Sequence, residues 1–291
     1  MAAVRRLSTA SEVSAKLTKT AKERSDNMEE RVEIVSGFYS QYQEEERLIK
    51  SRQGQLEFRL TMDYIHQYLK PGMQVLDLGA GTGRYSKALA EEGYEVKAIE
   101  LVEANYKVLA EKAEKLPNLE AFQGDALDLS RFADESFDVT LVFGPMYHLY
   151  SPEDQHKALD EAIRVTKKGG VVLVAFLSVH AIMVTNYLYQ WESFTHGYQE
   201  NFDEAGKVRH FPEQLFTGFD IVEFEDLFKE KAVEHLTTVA VDNVLEVAER
   251  REDFRMDDEN FEMFYKYQKQ ICEKREMLGT SSHLLYICRR Q

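Results

Sequence analysis

Three carboxylates in this chain stand at or just past the ends of short apolar runs. They are Asp77 in Val75-Leu76-Asp77-Leu78, Glu100 after Ala98-Ile99, and Asp125 in Gly124-Asp125-Ala126. Directly after the first comes Gly79-Ala80-Gly81-Thr82-Gly83. Glycines at alternating positions let the backbone pass close to a ligand, because no Cβ intervenes. The free N–H groups that open the next helix then face the same ligand. Asp77 would repel a pyrophosphate and suits an ammonium or a ribose. Glu100 lies 23 residues beyond Asp77, and an acid about 20 residues past a glycine loop is the usual acceptor for a ribose diol. Any one of these acids alone is more often a surface charge or a helix cap. Their common order and spacing point to one ligand-binding crevice.

A second group lies in Phe143-Gly144-Pro145-Met146-Tyr147-His148. Tyr147 and His148 are its side chains able to exchange a proton. His148 is the first candidate for a general base, since an imidazole titrates near neutral pH. His180 follows another apolar run and is the second candidate. His210 and His283 rank below both.

These residues need strands to hold them. Met73–Leu78, Glu95–Glu100, Leu119–Gln123, Phe137–Phe143 and Val171–Ser178 read as strands one to five. Arg84–Glu92, Glu103–Leu116 and Pro152–Thr166 read as the helices between them, with Lys167–Gly170 as the C-cap of the last. Strands alternating with helices imply right-handed crossovers and a parallel sheet covered on both faces. Ligands then bind beyond the carboxyl ends of the strands. Two amphipathic helices are expected between Met28 and Leu69, ended by Pro71-Gly72. After Ser178 the pattern breaks: an aromatic-rich helix over His180–Thr195, a hairpin turn at Asp203–Gly206, and a short helix over Asp220–Lys229. Val233–Val241, a charged helix over Glu259–Met277, and a strand over His283–Arg289 close the chain.

The glycine spacing is G-x-G-x-G, and Arg84 occupies the place of the third glycine in a dinucleotide fingerprint. With Asp77 ahead of it, this stretch resembles the first motif of the class I S-adenosylmethionine-dependent methyltransferases. The resemblance is strongest from Gly72 to Ser178 and is closest to the ubiquinone/menaquinone-type and type 11 bacterial groups. It implies an α/β, Rossmann-like methyltransferase fold: a mostly parallel seven-stranded sheet with helices on both faces, N-terminal helices, and a cap inserted after strand five. It implies S-adenosylmethionine as cofactor and S-adenosylhomocysteine as product. Carried over position by position, Asp77, Gly79, Ala80, Gly81 and Gly83 form the cofactor loop, and Glu100 takes the ribose diol. Leu101 lies on the adenine, Asp125 accepts from its amine, and the Ala126 backbone donates to its ring. Phe143 ends strand four beside the cofactor, and the loop after it, with Tyr147 and His148, faces the reacting centre. Tyr39 and Tyr42, on a helix ahead of the first motif, are lid candidates. Adenine and glutamine methyltransferases carry N/D-P-P-Y/F after strand four. Gly144-Pro145-Met146-Tyr147 departs from that pattern and weakens the case for those acceptors.

The chain has 291 residues, 44% of them hydrophobic, and a net charge of −15. That length suits one large domain with additions. We expect a polar arm over residues 1–27, lid helices over 28–70, and a catalytic domain over 71–291 with a cap at about 180–230. The arm is Arg- and Ser-rich; a targeting peptide is one reading, a partner-bound or flexible arm the other. The acidic balance argues against a broad nucleic-acid face, whose affinity would rest on Lys and Arg. Cys272 and Cys288 form no C-x-x-C pair, which fits reduced thiols in a cytoplasmic protein. They are too few for arsenite chemistry, and no clustered oxygen ligands suggest a metal. No run is long enough for a membrane span. The expected activity is methyl transfer to an O, N or S atom of a small, partly apolar molecule, its cap lined by Tyr187, Tyr189 and Trp191. An RNA or protein methyltransferase, a non-catalytic cofactor-binding regulator and a dinucleotide oxidoreductase are the alternatives.

Overall fold

The computed structural model describes residues 30–40, 44–189, 193–211 and 213–291. The arm over residues 1–27, Tyr42 and Trp191 lie outside the described residues, as does the side chain of Tyr189. Helix α1 covers residues 30–39. It is followed by α2 (Arg47–Lys50) and α3 (Arg52–Tyr68). Ser51 caps α3 by accepting from Gly54 N at 2.9 Å, which satisfies one of the open N–H groups of the first turn. Leu56, Leu60 and Ile65 bury one stripe of α3.

The alternating region then runs β1 (Gln74–Leu78), α4 (Arg84–Glu91), β2 (Glu95–Glu100), α5 (Glu103–Ala113), β3 (Leu119–Gln123), β4 (Phe137–Val142), α6 (Pro152–Val165) and β5 (Thr166–Ser178). Among themselves these five strands pair in parallel. Both sheet faces are apolar. Leu76, Leu78, Val142, Val172 and Val174 pack with Ala158 and Leu159 of α6 on one face. Val75, Val96, Leu141 and Leu173 pack with Leu60 of α3 and Leu89 of α4 on the other. Burial on both sides is why these strands read as continuous apolar runs.

Beyond β5 come α7 (Val179–Ile182), a π-helical stretch over Met183–Tyr189, α8 (Phe194–Asn201), β6 (Gly218–Phe219), α9 (Ile221–Asp226) and β7 (Val233–Ala240). The chain closes with α10 (Leu245–Glu249), α11 (Asp258–Ile271), α12 (Arg275–Leu278) and β8 (His283–Arg290). The sheet order is β3-β2-β1-β4-β5-β8-β7. β8 is antiparallel to both β5 and β7. The short β6 pairs with the end of β5, making eight strands where seven are expected from the sequence. A two-residue strand leaves no period-2 signal to read.

Two local expectations are corrected. Lys167–Gly170 is not the C-cap of α6 but a bulge inside β5. The register passes from Phe137↔Thr166 to Val139↔Val171, and Lys167 Nζ bonds Asp138 at 2.9 Å across the irregularity. The stretch from His180 is not one helix, because α7 widens into the π-helical turn at Met183. The turn at Asp203 holds as expected: its Oδ1 accepts from Ala205 N at 2.9 Å and Lys207 N at 2.8 Å.

Candidate active site

Strand parity decides where the three carboxylates point. Asp77 shares its face with Val75, so its side chain turns toward α4, where Ser86 Oγ donates to Oδ2 at 2.5 Å. Its Oδ1 is buried without a hydrogen-bond partner among the described residues. Burial pushes its carboxyl up to about 6 despite that bond. Glu100 reaches back under the glycine loop. Its Oε2 accepts from Gly81 N and its Oε1 from Val102 N, each at 2.8 Å. The loop is pinned further by Gly79 N and Ala80 N, which both donate to Ile99 O at 2.9 and 3.0 Å. A Cβ at Gly79 would meet Pro145 Cδ at 2.6 Å, and its φ is +71°. Glycine there lets the loop after β1 and the loop after β4 touch. Arg84 lies over the Phe58 ring at 4.4 Å.

These loops open into a cavity of about 750 Å³. On the loop side it is lined by Gly79, Gly81, Glu100, Leu101, Asp125 and Ala126. Across from them stand Phe143, Tyr147, His148 and Tyr39. Ten of the expected site residues therefore share one space. Asp77 and Ala80 lie under the loop, beside a small adjoining void. Gly83 is the N-cap of α4. His180 does not join them: its side chain is 53% exposed and pairs with Asp220 Oδ2 at 3.2 Å. The end of β5 carries it outward, and it is withdrawn as a candidate.

The roof is made of two parts. α1 crosses Asp125, whose carboxylate pairs with the buried Arg31 guanidinium. Phe38 on the same helix meets Phe216 of the cap at 5.4 Å. The cap is tied down by Thr217 N, which donates to Tyr147 O at 2.6 Å. His148 lies where both parts meet. Its Nδ1 donates to Leu215 O at 2.7 Å, since a carbonyl can only accept. Its Nε2 is then a lone pair, facing Tyr39 Oη at 3.3 Å, and the phenol donates. Burial holds this imidazole down to about 4, against the pull of the Leu215 bond. His148 is thus a neutral acceptor at physiological pH. Burial raises the Tyr147 phenol well above its usual range, so it stays protonated.

Arg31→Ala removes the tie between the roof and Asp125. We expect association and dissociation of S-adenosylhomocysteine both to speed up, roughly tenfold, because a charge-assisted bond no longer resists opening. Stopped-flow rates unchanged by the substitution would mean that α1 does not gate the cavity.

The residue that sequence reasoning ranked too low is His283. It lines the same cavity, and its Nδ1 bonds Asp242 Oδ2 at 2.7 Å. Asp242 is fully buried and also accepts from Gln53 Nε2 at 2.9 Å and Ser281 Oγ at 2.5 Å. Glu57, gripped by both guanidinium nitrogens of Arg47 at 2.9–3.2 Å, lies 3.9 Å from the same ring nitrogen. Burial works against a charged His283, but Glu57 and Asp242 outweigh it and raise the ring to about 9. The available signal was topological. An antiparallel last strand must begin at the edge where the parallel strands end, and His283 is its first residue.

Residues 76–174 match the family model described as a methyltransferase domain. Over this span the chain is similar to that family. A demethylmenaquinone methyltransferase of Renibacterium salmoninarum is 41% identical over 121 residues, which is 41% of this chain and 47% of that protein. The chain spans about half the length of the curated relatives it matches. A SAM-dependent methyltransferase of Methanosarcina mazei superposes with a TM-score of 0.51 at 18% identity, covering 78% of this chain and 96% of that one. The geranyl diphosphate C-methyltransferase of Streptomyces coelicolor gives 0.52 at 13% identity, covering 80% and 79%. At these identities the superpositions establish the methyltransferase fold. The domain match ends inside β5, so α1, α3 and the cap that complete the cavity lie outside it. No helix among the described residues is long and apolar enough to cross a membrane.

Proposed function

We propose that this chain is an S-adenosylmethionine-dependent methyltransferase acting on a small molecule. One observation carries the reading: a single roofed cavity of about 750 Å³ joins the glycine loop and Glu100 to Tyr147, His148 and His283. That volume falls in the range of small-ligand sites. The roof of α1 and cap favours a small acceptor over a folded RNA or protein. The quinone-methylating relatives agree with this class without naming the acceptor here. Two buried, unbridged cysteines suit a cytoplasmic setting.

The residues present fit the cofactor. Glu100 lines the cavity at the glycine loop, its carboxylate held by Gly81 N and Val102 N where a ribose diol would sit. Leu101 and Ala126 supply the apolar wall for adenine. Asp125 reaches the adenine amine once Arg31 lets go. The cofactor supplies an activated methyl group. Held by the glycine loop, Glu100, Leu101, Asp125 and Ala126, it would give its methyl carbon to the acceptor's electron pair, with the carbon–sulfur pair staying on sulfur. The protein's work is alignment and exclusion of water. Tyr147 and His148 shape the acceptor end, His148 offering its Nε2 lone pair to an acceptor N–H or O–H that displaces Tyr39 Oη.

The test is formation of S-adenosylhomocysteine across a library of small acceptors. Tight binding of S-adenosylhomocysteine with no turnover of any acceptor would favour a regulatory protein instead. For His148 the expected result follows from its low basicity. Turnover should show no inflection near pH 6–7, because the ring is already neutral above about 4. His148→Asn should raise the acceptor KM about tenfold, with kcat little changed. A wild-type inflection near neutral pH that disappears in His148→Asn would restore it as a general base.

A further inference from the structure

His283 is the first residue of β8 and sits opposite Leu177, at the edge where the parallel strands end. One ring nitrogen is committed to Asp242 at 2.7 Å. The other, Nε2, has no hydrogen-bond partner among the described residues, although the side chain is only 18% exposed and that exposure faces a cavity it lines. The ring stands 6.1 Å from Tyr147, centroid to centroid. We propose that the acceptor carries an oxyanion, and that this oxyanion docks on the Nε2–H of His283 while Asp242 holds the ring in place.

The inference rests on the small-molecule reading above and narrows it to a substrate class. The groups around His283 support it. Asp242 follows β7, Glu57 and Gln53 come from α3, Arg47 from α2, and Tyr147 from the loop after β4. Arg47 neutralises Glu57, so the Asp242–His283 pair is what the cavity sees at this wall. The two carboxylates keep the ring protonated up to about pH 9. A protonated ring cannot act as a base at neutral pH, but it presents a charged N–H donor, the stronger class of hydrogen bond. The other acids that line the acceptor end are Glu200 and Glu213 of the cap and Glu246 of α10, the last paired with Arg250 at 2.6 Å. Glu200 and Glu213 repel an anion from the cap side and leave the sheet edge as its seat. The shared chemistry is an anionic oxygen, and it can come from a carboxylate or from an acidic phenol or enol.

The sign of the pH dependence follows. The ring's pKa is raised in the folded protein, so its charge is present below about 9 and is lost as pH rises through that value. The probes are benzoate, its neutral counterpart benzamide, and 4-nitrophenolate. They are titrated calorimetrically into the full chain saturated with S-adenosylhomocysteine, at pH 7 and pH 10. The expected result is about tenfold or tighter binding of benzoate than benzamide at pH 7. The preference should vanish at pH 10 and in His283→Gln, which keeps an N–H donor but no charge. Stronger binding of 4-nitrophenolate than of benzoate would identify the oxygen as phenolic, and the reverse as a carboxylate. Equal binding of benzoate and benzamide, no binding of either anion, or an unchanged preference in His283→Gln would overturn the inference. Binding of S-adenosylhomocysteine, measured first on the same samples, separates this from the wider reading: its absence would sink the methyltransferase assignment itself.

Discussion

Gly81→Val is expected to cut affinity for S-adenosylmethionine by two orders of magnitude or more while the sheet still folds. Gly81 has φ +56°, in the left-handed region that a β-branched residue enters only under strain. Strain of that kind costs about 1–3 kcal/mol. The loop can escape it only by turning the Gly81 peptide, which breaks the bond from Gly81 N to Glu100 Oε2 at 2.8 Å. Two losses then fall on one site: the loop shape and the carboxylate placed beneath it. Gly81 itself belongs to neither apolar cluster, although its neighbour Ala80 packs against one, so the thermal midpoint should move little. Calorimetry with S-adenosylhomocysteine checks the first point and a melting curve the second. Normal affinity in the variant would show that the loop does not cradle this ligand.

Glu100→Ala should be nearly as severe for binding and more costly for the fold. Its two oxygens satisfy Gly81 N and Val102 N, and the residue is 5% exposed. Removing an acceptor from a buried N–H costs about 1–3 kcal/mol per group left unpaired. The loss of the ribose contact adds roughly 1.5–3 kcal/mol to the binding penalty, or about 10- to 150-fold in affinity. Glu100→Gln makes the useful partner variant. It retains one oxygen acceptor, so it should recover much of the stability while binding stays weak. If both variants bind normally, Glu100 serves only to brace the loop.

The glycine-loop side of the cavity was legible in the sequence because its signals are local. A strand end, a glycine loop and an acid at a fixed distance are set by one βαβ unit, and parity along β1 and β2 does the rest. Parity also explains what sequence spacing alone misjudged. Asp77 belongs to the α4 face, so it meets Ser86 rather than the main cavity, and no count of residues to the next glycine shows that. His180 was singled out for following an apolar run, but the residue after a strand turns either way, and α7 turns it to solvent. The acceptor half was hard to read because its parts are far apart in sequence. Arg47, Glu57, Asp242 and His283 meet only when β8 slots between β5 and β7. His148 was found by position, yet its weak basicity comes from the surrounding burial, which no motif shows.

The insertion of β8 has a consequence for how the molecule is assembled during synthesis. Strands β3, β2, β1, β4 and β5 are contiguous on the ribosome and can pair as they emerge, with their helices between them. The next neighbour of β5 is β8, with Leu173 opposite Ile287, so more than a hundred residues must be translated before that edge is covered. Until then β5 presents an unpaired apolar strand, the kind of edge that invites aggregation or a chaperone. The nascent chain therefore has its glycine-loop crevice before it has the wall that carries His283. A stalled or clipped chain ending before His283 would be an incomplete vessel for the second ligand, with its sheet open at the seam.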